Sequence, residues 1–188
     1  MPAVLIVAAT RAELCGHDGL ECGVGPVESA AATARALAAD PHVRAVLHVG
    51  LAGALGVPVG AFVVGSESRY DDISARWPVV DRTVPDAALA EAALTALPGA
   101  RLLPIHTSGT VARPRQEMPG EPVVEAMEGF GVLRAAAHAG VAAVEVRAVS
   151  NELGEEDRSR WDVAGALAAL GTALPALLAA VEDAARTG

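Results

Sequence analysis

The chain has 188 residues, of which 52% are hydrophobic and 20% are charged, and its formal net charge at pH 7 is −9. This length predicts one domain, residues 1–188, with room for a sizeable core. The acidic balance argues against a nucleic-acid partner. Cys15 and Cys22 are too few for a disulfide framework, so we expect a reduced, cytoplasmic protein.

The C-terminal segment is the most apolar part of the chain. Residues 163–181 contain Gly165, Thr172 and Pro175, and acidic residues flank the segment on both sides. This pattern favours a buried or interface helix over a membrane span, and we expect no membrane partner. Residues 1–7 lack a positively charged region, which indicates a first strand and not a signal peptide.

Branched apolar runs alternate with alanine-rich helical patterns along the chain. Strands are predicted, in chain order, at residues 4–9, 45–49, 60–65, 102–108 and 142–149. Helices are predicted at residues 29–39, 86–96, 123–139 and 164–185. Alternating strands and helices predict an α/β layered fold with a largely parallel sheet.

Residues 50–56, with the sequence GLAGALG, follow a predicted strand and look like a dinucleotide-binding fingerprint. That fingerprint requires a helix immediately afterwards, whereas Pro58 and another predicted strand follow here. We therefore interpret residues 50–56 as a turn. It is either purely structural or brings backbone N–H groups close to a ligand.

Two charged residues lie near predicted strands. Glu13 follows the first strand, and the carboxyl ends of strands line the ligand crevice in open α/β sheets. The alternative for Glu13 is a solvated loop carboxylate. Arg147 lies inside an apolar strand and needs a carboxylate partner. Glu13 is suitable if the two strands are neighbours, and a purely structural ion pair is also compatible with the pattern.

Glu125 and Glu128 lie three residues apart in the predicted helix 123–139 and would share one helix face. Glu125 fits an exposed acid near a helix N-terminus. Glu128 precedes Gly129 and Gly131, each of which costs a helix about 1 kcal/mol relative to alanine. Such glycines indicate close approach of a ligand or another helix. A buried acid must be satisfied, and we expect a sugar hydroxyl at Glu128.

Metal and serine-hydrolase sites are poorly supported. The five histidines show no ligand spacing. Cys15 and His17 with Cys22 could hold a metal, but the intervening glycines and Asp18 form a turn equally well. A serine hydrolase would need a G-x-S-x-G elbow after a strand, which the sequence lacks. We expect neither a metal nor a cofactor.

Five blocks in order carry a family resemblance. They are GVGPVESA (23–30), HVGLAGAL (48–55), VGAFVV with SRYDD (59–72), AMEG (126–129) and VRAVSN (146–151). Together they resemble the purine nucleoside phosphorylase and nucleosidase family, which includes the 5′-methylthioadenosine/S-adenosylhomocysteine nucleosidases. The resemblance implies a three-layer α/β/α sandwich with a central mixed, mostly parallel sheet.

Two further features resemble the futalosine hydrolase branch of that family. One is EAMEGFG (125–131), and the other is Ser150-Asn151 followed by Gly154, Asp157-Arg158 and Trp161. The adenine-specific members carry Asp at the position of Asn151. An amide cannot give up a proton, but it offers one donor for O6 and one acceptor for a protonated N7. The substitution therefore favours a hypoxanthine nucleoside.

The resemblance implies cleavage of an N-glycosidic bond of futalosine in menaquinone biosynthesis, with residue roles that follow the family. Glu13 would act as general base on a water, Arg147 would hold Glu13 ionised and oriented, and Asn151 would stabilise the departing base. Glu128 and Met127 would bind the ribose. Further substrate contacts are implied at Gly53, Ser108, Gly109, Val111 and Phe130.

Other activities remain open at this point. A phosphorylase acting on a purine nucleoside would need cations for phosphate, and the glycine-rich turns carry neither Arg nor Lys. A non-catalytic nucleoside-binding protein is compatible with two segments, residues 14–22 and 113–122, that are shorter than in relatives. Arg113 and Arg115 are candidates for binding the substrate carboxylate. The family resemblance also implies a homodimer or larger homo-oligomer.

Overall fold

The computed structural model describes residues 4–110 and 120–187. Within these residues eight strands form one mixed sheet. The strands are β1 (Val4–Ala8), β2 (Leu20–Glu21), β3 (Ala45–Leu55), β4 (Phe62–Tyr70), β5 (Arg82–Thr83), β6 (Arg101–Thr107), β7 (Val123–Ala126) and β8 (Ala142–Glu152). The α-helices are α1 (Pro26–Ala39), α2 (Ala87–Ala96), α3 (Gly129–Ala139) and α4 (Val163–Thr187), and a 3₁₀ turn (Arg158–Arg160) precedes α4.

The strand order is β2-β1-β3-β7-β6-β4-β5, and β8 pairs with both β3 and β4. Strands β3, β8, β4, β6 and β7 therefore close into a ring. The pairs β1–β2, β1–β3, β3–β8, β4–β6 and β6–β7 are parallel, whereas β3–β7, β4–β5 and β4–β8 are antiparallel. The expected mixed, mostly parallel sheet is confirmed.

Helices cover the sheet on two sides. Successive strand residues point to opposite faces, so Val46 packs beneath α1 and α3 while Leu47 packs beneath α2 and α4. Helices α1 and α3 contact each other, as do α2 and α4. The three-layer α/β/α arrangement is thereby confirmed.

Helix α4 is long and apolar enough to cross a membrane by length and composition alone. It instead packs against α2 and against strands β1, β3 and β8. Its buried positions recur every three or four residues, the spacing of one helix face, and are Ala166, Leu170, Leu174, Leu177 and Val181. In this structure α4 packs one face on the core.

The predicted helix 123–139 is wrong in its first part. Residues Val123–Ala126 form β7, which pairs with β3 and β6, and α3 begins only at Gly129. A short apolar run cannot be distinguished from a buried helical turn by periodicity alone. Glu125 and Glu128 therefore do not share a helix face.

The predicted turn at residues 50–56 is also wrong. β3 continues through Leu55 and runs beside β8 up to Glu152, and the chain turns at Gly56, where φ is +72°. Glycine inside a strand commonly marks a close approach. A Cβ on Gly53 would lie 2.9 Å from Nδ2 of Asn151, and one on Gly50 would overlap the guanidinium of Arg147.

Candidate active site

A cavity of about 330 Å³ opens where β1, β3, β7 and β8 reach their carboxyl ends. Ligand crevices of α/β sheets commonly lie at these ends. The lining includes Thr10, Glu13, Leu51, Gly53, Glu125, Met127, Glu128, Ser150, Asn151, Leu153, Trp161, Val163 and Leu167. The predicted residues Glu13, Gly53, Met127, Glu128 and Asn151 thus meet in one cavity.

Glu13 is buried just past β1, and its carboxylate is fixed by three hydrogen bonds. Oε2 accepts from the backbone N–H of Thr10 at 3.0 Å and from its hydroxyl at 2.8 Å, and Oε1 accepts from the N–H of Leu51 at 3.0 Å. A carboxylate has about four acceptor positions. One acceptor position on Oε1 therefore remains, and the burial of Glu13 excludes the solvated-loop alternative.

Glu128 lies at the start of α3 and is also buried. Oε1 accepts from the N–H of Gly25 at 3.2 Å, and Oε2 accepts from Arg147 at 3.4 Å. Each oxygen keeps one acceptor position. Gly131 allows α1 to pack closely, because a Cβ there would overlap the carbonyl of Pro26 and the hydroxyl of Ser29. The expectation of close approach by another helix is confirmed at Gly131.

Arg147 lies behind the cavity wall and is completely buried in β8. Its Nε donates to Glu145 at 2.9 Å, Nη1 to the carbonyl of Leu51 at 3.3 Å, and Nη2 to Glu128. Because β3 lies between β1 and β8, the condition for direct pairing with Glu13 is not met. The backbone of Leu51 instead bonds to both side chains. Its carbonyl accepts from Arg147, and its N–H donates to Glu13.

His48 completes the buried network as a neutral base. Its Nδ1 lies 3.0 Å from the carbonyl of Val7, which can only accept, so Nδ1 carries the proton. Nε2 then accepts from Nη2 of Arg147. Burial, followed by the positive charge of Arg147, holds the pKa of His48 well below 6.5. His48 thus supplies an acceptor to Arg147 without adding charge.

Sequence reasoning missed Glu145, the principal partner of Arg147. Both lie on β8 two residues apart, so their side chains share one face of the strand. That spacing is the signal that could have found the pair. A Cβ on Gly129 would overlap the Glu145 carboxylate, which explains why glycine begins α3.

Asn151 is turned into the cavity by an irregularity in β8. The β3–β8 register shifts between Ala52 and Gly53, which leaves Ser150 as the extra residue of a bulge. Oδ1 of Asn151 accepts from the Ser150 hydroxyl at 2.8 Å, and Nδ2 donates to the carbonyl of Glu152 at 3.2 Å. One amide hydrogen and one acceptor position remain for a ligand.

Glu125 is buried on β7 and lines the cavity, so the prediction of an exposed helix-terminal acid is wrong. Strand pairing places it there, because Glu125 pairs in register with Gly53, another lining residue. Three carboxylates, those of Glu13, Glu125 and Glu128, therefore face one cavity.

Three of the implied substrate contacts do not line this cavity. Ser108 exchanges hydrogen bonds with the backbone of Thr110, and the N–H of Gly109 donates to Asp72. Phe130 stacks on Tyr70, with ring centroids 5.3 Å apart. Each is engaged within the protein near the ends of β4 and β6. Val111, Arg113 and Arg115 lie outside the described residues.

The possible metal site is not assembled in the described part of the chain, where no three His, Cys, Asp or Glu residues are suitably grouped. Burial and the charge of Glu128 raise the pKa of Cys22 to about 12. Metals bind the thiolate, so this shift disfavours Cys22 as a ligand. Cys15 instead points at the carbonyls of Glu13 and Leu167.

Comparison with known proteins supports the family resemblance. The family model of the phosphorylase superfamily matches residues 19–185. A futalosine hydrolase of Streptomyces coelicolor is 39% identical over 192 residues, covering 89% of this chain and 81% of the relative. A second, from Thermus thermophilus, is 32% identical over 87% of this chain and 82% of its own length.

The chain belongs to the futalosine hydrolase branch of the phosphorylase superfamily. Solved structures agree on the fold. The Streptococcus pneumoniae MTA/SAH nucleosidase in complex with 8-aminoadenine matches with a TM-score of 0.80 at 22% identity, over 94% of this chain and 99% of that one. A futalosine hydrolase mutant of Helicobacter pylori matches with a TM-score of 0.81 at 16% identity, over 94% and 98%.

Members of this branch are N-glycosidases, and the chain shares their fold. Nucleosidase structures of the same fold hold purine analogues such as 8-aminoadenine.

Proposed function

We propose that the protein hydrolyses the N-glycosidic bond of futalosine, releasing hypoxanthine and dehypoxanthine futalosine. The observation that carries this proposal is the placement of Glu13, Glu128 and the amide of Asn151 around one cavity. The futalosine hydrolase relatives, up to 39% identical, supply independent support.

Glu13 is the general base. Its remaining acceptor position on Oε1 takes a proton from a water as the water oxygen bonds to C1′ of the ribose. The hydrogen bonds from Thr10 and Leu51 hold the carboxylate in one orientation, which removes the entropy cost of aligning it. The C1′–N9 bond breaks, and its electron pair goes to the purine.

Glu128 binds the sugar. Its two remaining acceptor positions, one on each oxygen, match the two adjacent hydroxyls of a ribose. The transition state is oxocarbenium-like, so positive charge develops on the sugar between Glu13 and Glu128. Fixed carboxylates stabilise that charge more than they stabilise the neutral ground state. Met127 packs on the sugar from the cavity wall.

Asn151 binds the departing hypoxanthine. Its remaining amide hydrogen donates to O6, and Oδ1 accepts from the protonated N7. An amide has no acidic proton, so N7 takes its proton from solvent. An aspartate at the same position would set a carboxylate oxygen against O6, acceptor against acceptor.

Water is the nucleophile in this proposal. The described residues that line the cavity include neither Arg nor Lys, whereas a phosphorylase needs cations to bind phosphate. Arg147 is behind the wall and bonded to Glu145 and Glu128, so it is not available to a phosphate. These observations favour hydrolysis over phosphorolysis.

The biological setting follows from the substrate. Release of hypoxanthine from futalosine is a step towards menaquinone, so we assign the protein to menaquinone biosynthesis. Cys15 and Cys22 are both free thiols, which suits a reduced cytoplasmic compartment. We expect a homodimer, in line with the oligomeric habit of the family.

The test is incubation of the purified protein with futalosine, inosine and methylthioadenosine in phosphate-free buffer, with the free bases separated by chromatography. We expect hypoxanthine from futalosine and little adenine from methylthioadenosine. Base release that requires added phosphate would identify a phosphorylase. Tight nucleoside binding without any base release, with or without phosphate, would identify a non-catalytic binding protein.

A further inference from the structure

The cavity has a polar part and an apolar part. Glu13, Glu128 and Asn151 occupy the polar part, which the sugar and the purine require. Part of the remaining wall comes from the chain after β8 and is apolar; its members are Leu153, Trp161, Val163 and Leu167. An apolar wall of this kind suits the carboxyphenyl ketone that futalosine carries at its 5′ end.

Arg158 packs against Trp161, one of the residues of this apolar wall. The guanidinium carbon of Arg158 lies 5.6 Å from the ring centroid of Trp161, within the range of a cation–π contact. The indole N–H of Trp161 donates to the carbonyl of Glu155 at 3.0 Å, which fixes the plane of the ring. Arg158, which is itself exposed, therefore packs on a residue that lines the cavity.

The charge of the cavity makes such a cation necessary. Three carboxylates line the cavity, so an anionic substrate is repelled unless its own carboxylate meets a positive charge. The positive charge of Arg147 is already engaged in ion pairs with Glu145 and Glu128. Among the described residues Arg158 forms no ion pair, so its charge is available to a ligand.

The neighbouring arginine on the same 3₁₀ turn behaves differently. Arg160 pairs with Glu155 at 3.2 Å and with Asp157 at 3.7 Å. Arg11 adjoins the lining residue Thr10, but no hydrogen bond or ion pair with a described residue holds its side chain there. Only Arg158, of these three, is placed against the cavity wall by a specific contact.

We propose that Arg158 determines substrate specificity by binding the carboxylate of the 5′ aryl group while that group lies against Trp161. This inference rests on the proposed function, because it concerns the anionic end of the same substrate. Arg158 does not touch the reacting atoms, so its contribution is to binding.

The test compares futalosine with its methyl ester, which is larger by one methyl group and lacks the negative charge. For Arg158→Gln we expect kcat/KM for futalosine to fall roughly fivefold to tenfold, mostly through KM, with kcat/KM for the ester unchanged within twofold. Arg158→Lys should restore part of the preference for the acid. Added salt should raise KM for futalosine more in the wild type than in Arg158→Gln.

Arg160→Gln is the matched control, because it removes one positive charge from the same turn. It should leave kcat/KM unchanged for both substrates. Equal kinetics of wild type and Arg158→Gln on futalosine would overturn the inference and leave the proposed function intact. The inference would also be overturned if Arg11→Gln, and not Arg158→Gln, lowered kcat/KM for futalosine while leaving kcat/KM for the methyl ester unchanged. Failure of the wild type to cleave either substrate would instead refute the proposed function.

Discussion

Nε of Arg147 donates to Oε1 of Glu145 at 2.9 Å, and neither side chain reaches solvent. The other carboxylate oxygen of Glu145 has no hydrogen-bond partner. The nearby carboxylates of Glu145 and Glu128 outweigh burial and raise the pKa of Arg147, so its charge is retained. The pair anchors the cavity wall from behind, since Arg147 also bonds Glu128 and the carbonyl of Leu51.

Arg147→Met should destabilise the fold strongly. The change leaves the buried carboxylates of Glu145 and Glu128 without their cation, and breaking a buried ion pair from one side costs about 3–5 kcal/mol. Chemical unfolding at pH 7 measures the loss. Arg44→Met, at an exposed arginine just before β3, is the control and should change stability little. A loss below about 1 kcal/mol would contradict an essential buried pair.

The stability contribution of Glu145 should decline as pH rises. Burial raises the pKa of its carboxyl above the usual 4.5, and Arg147 offsets only part of the rise. A carboxyl with a raised folded pKa binds its proton more tightly in the folded state. Its stabilising contribution is therefore present below pH 4.5 and is lost as pH rises through the folded pKa.

Glu145→Gln tests the predicted pH dependence of the Glu145 contribution to stability, because glutamine does not titrate. The difference in unfolding free energy, wild type minus variant, should decrease from pH 4.5 upwards. Urea unfolding over a pH series measures it. Glu91→Gln, at an exposed position of α2, should show no such trend. A difference that grows with pH would mean that the ionised carboxylate is the stabilised form.

Glu13→Gln should abolish turnover while preserving the fold. The amide keeps the shape of the side chain but cannot accept a proton, and a general base contributes about 10²- to 10⁴-fold to rate. Single-turnover hydrolysis of futalosine and thermal unfolding give the two readouts. Glu21→Gln, at an exposed glutamate of β2, is the control. Retention of most activity in Glu13→Gln would refute the role of Glu13.

Asn151→Asp should weaken action on 6-oxopurine nucleosides by about 1–3 kcal/mol in kcat/KM, the cost of a mismatched buried polar contact. The comparison substrate is methylthioadenosine, whose exocyclic amine can donate where O6 accepts. In Asn151→Asp, kcat/KM for methylthioadenosine should not fall together with that for the 6-oxopurine nucleosides. Unchanged hypoxanthine release from futalosine would show that Asn151 does not recognise the base.

Gly131→Ala should destabilise the protein even though alanine favours helices. The added Cβ would overlap the carbonyl of Pro26 and the hydroxyl of Ser29 in α1, and overpacking costs about 1–3 kcal/mol. Gly171→Ala in α4 is the matched control. Its Cβ would lie 3.4 Å from Cβ of Cys15, an ordinary contact, so it should gain up to about 1 kcal/mol. Equal effects in thermal unfolding would contradict the close packing of α1 on α3.

Much of the site could be predicted from the chain. Glu13 was expected at the carboxyl end of the first strand, and the glycines beside Glu128 indicated a tightly packed acid. Both side chains line the cavity, together with Asn151. The placement of Glu13 and Glu128 could be anticipated because it depends on local pattern, a strand end and glycines in a helix, whereas Asn151 was expected from the family resemblance. The roles of the three residues stay predictions.

Other features could not be read in this way. The sequence of Val123–Ala126 is compatible with either a helix or a strand. Only its pairing with β3 and β6 shows that it is a strand. That pairing places Glu125 in the cavity. The partners of Arg147 likewise depend on strand order, since β3 separates β8 from the strand that leads to Glu13.

By itself, the sequence determined the α/β alternation, the acidic composition and the types of residue that line the cavity. Tertiary structure alone decided which carboxylate neutralises Arg147, which acids share the cavity, and that Arg158 packs on its wall at Trp161. The physical reason is range. Strand and helix patterns arise from residues a few positions apart, whereas ion pairs and cavity walls join residues that only the closed order of the strands brings together.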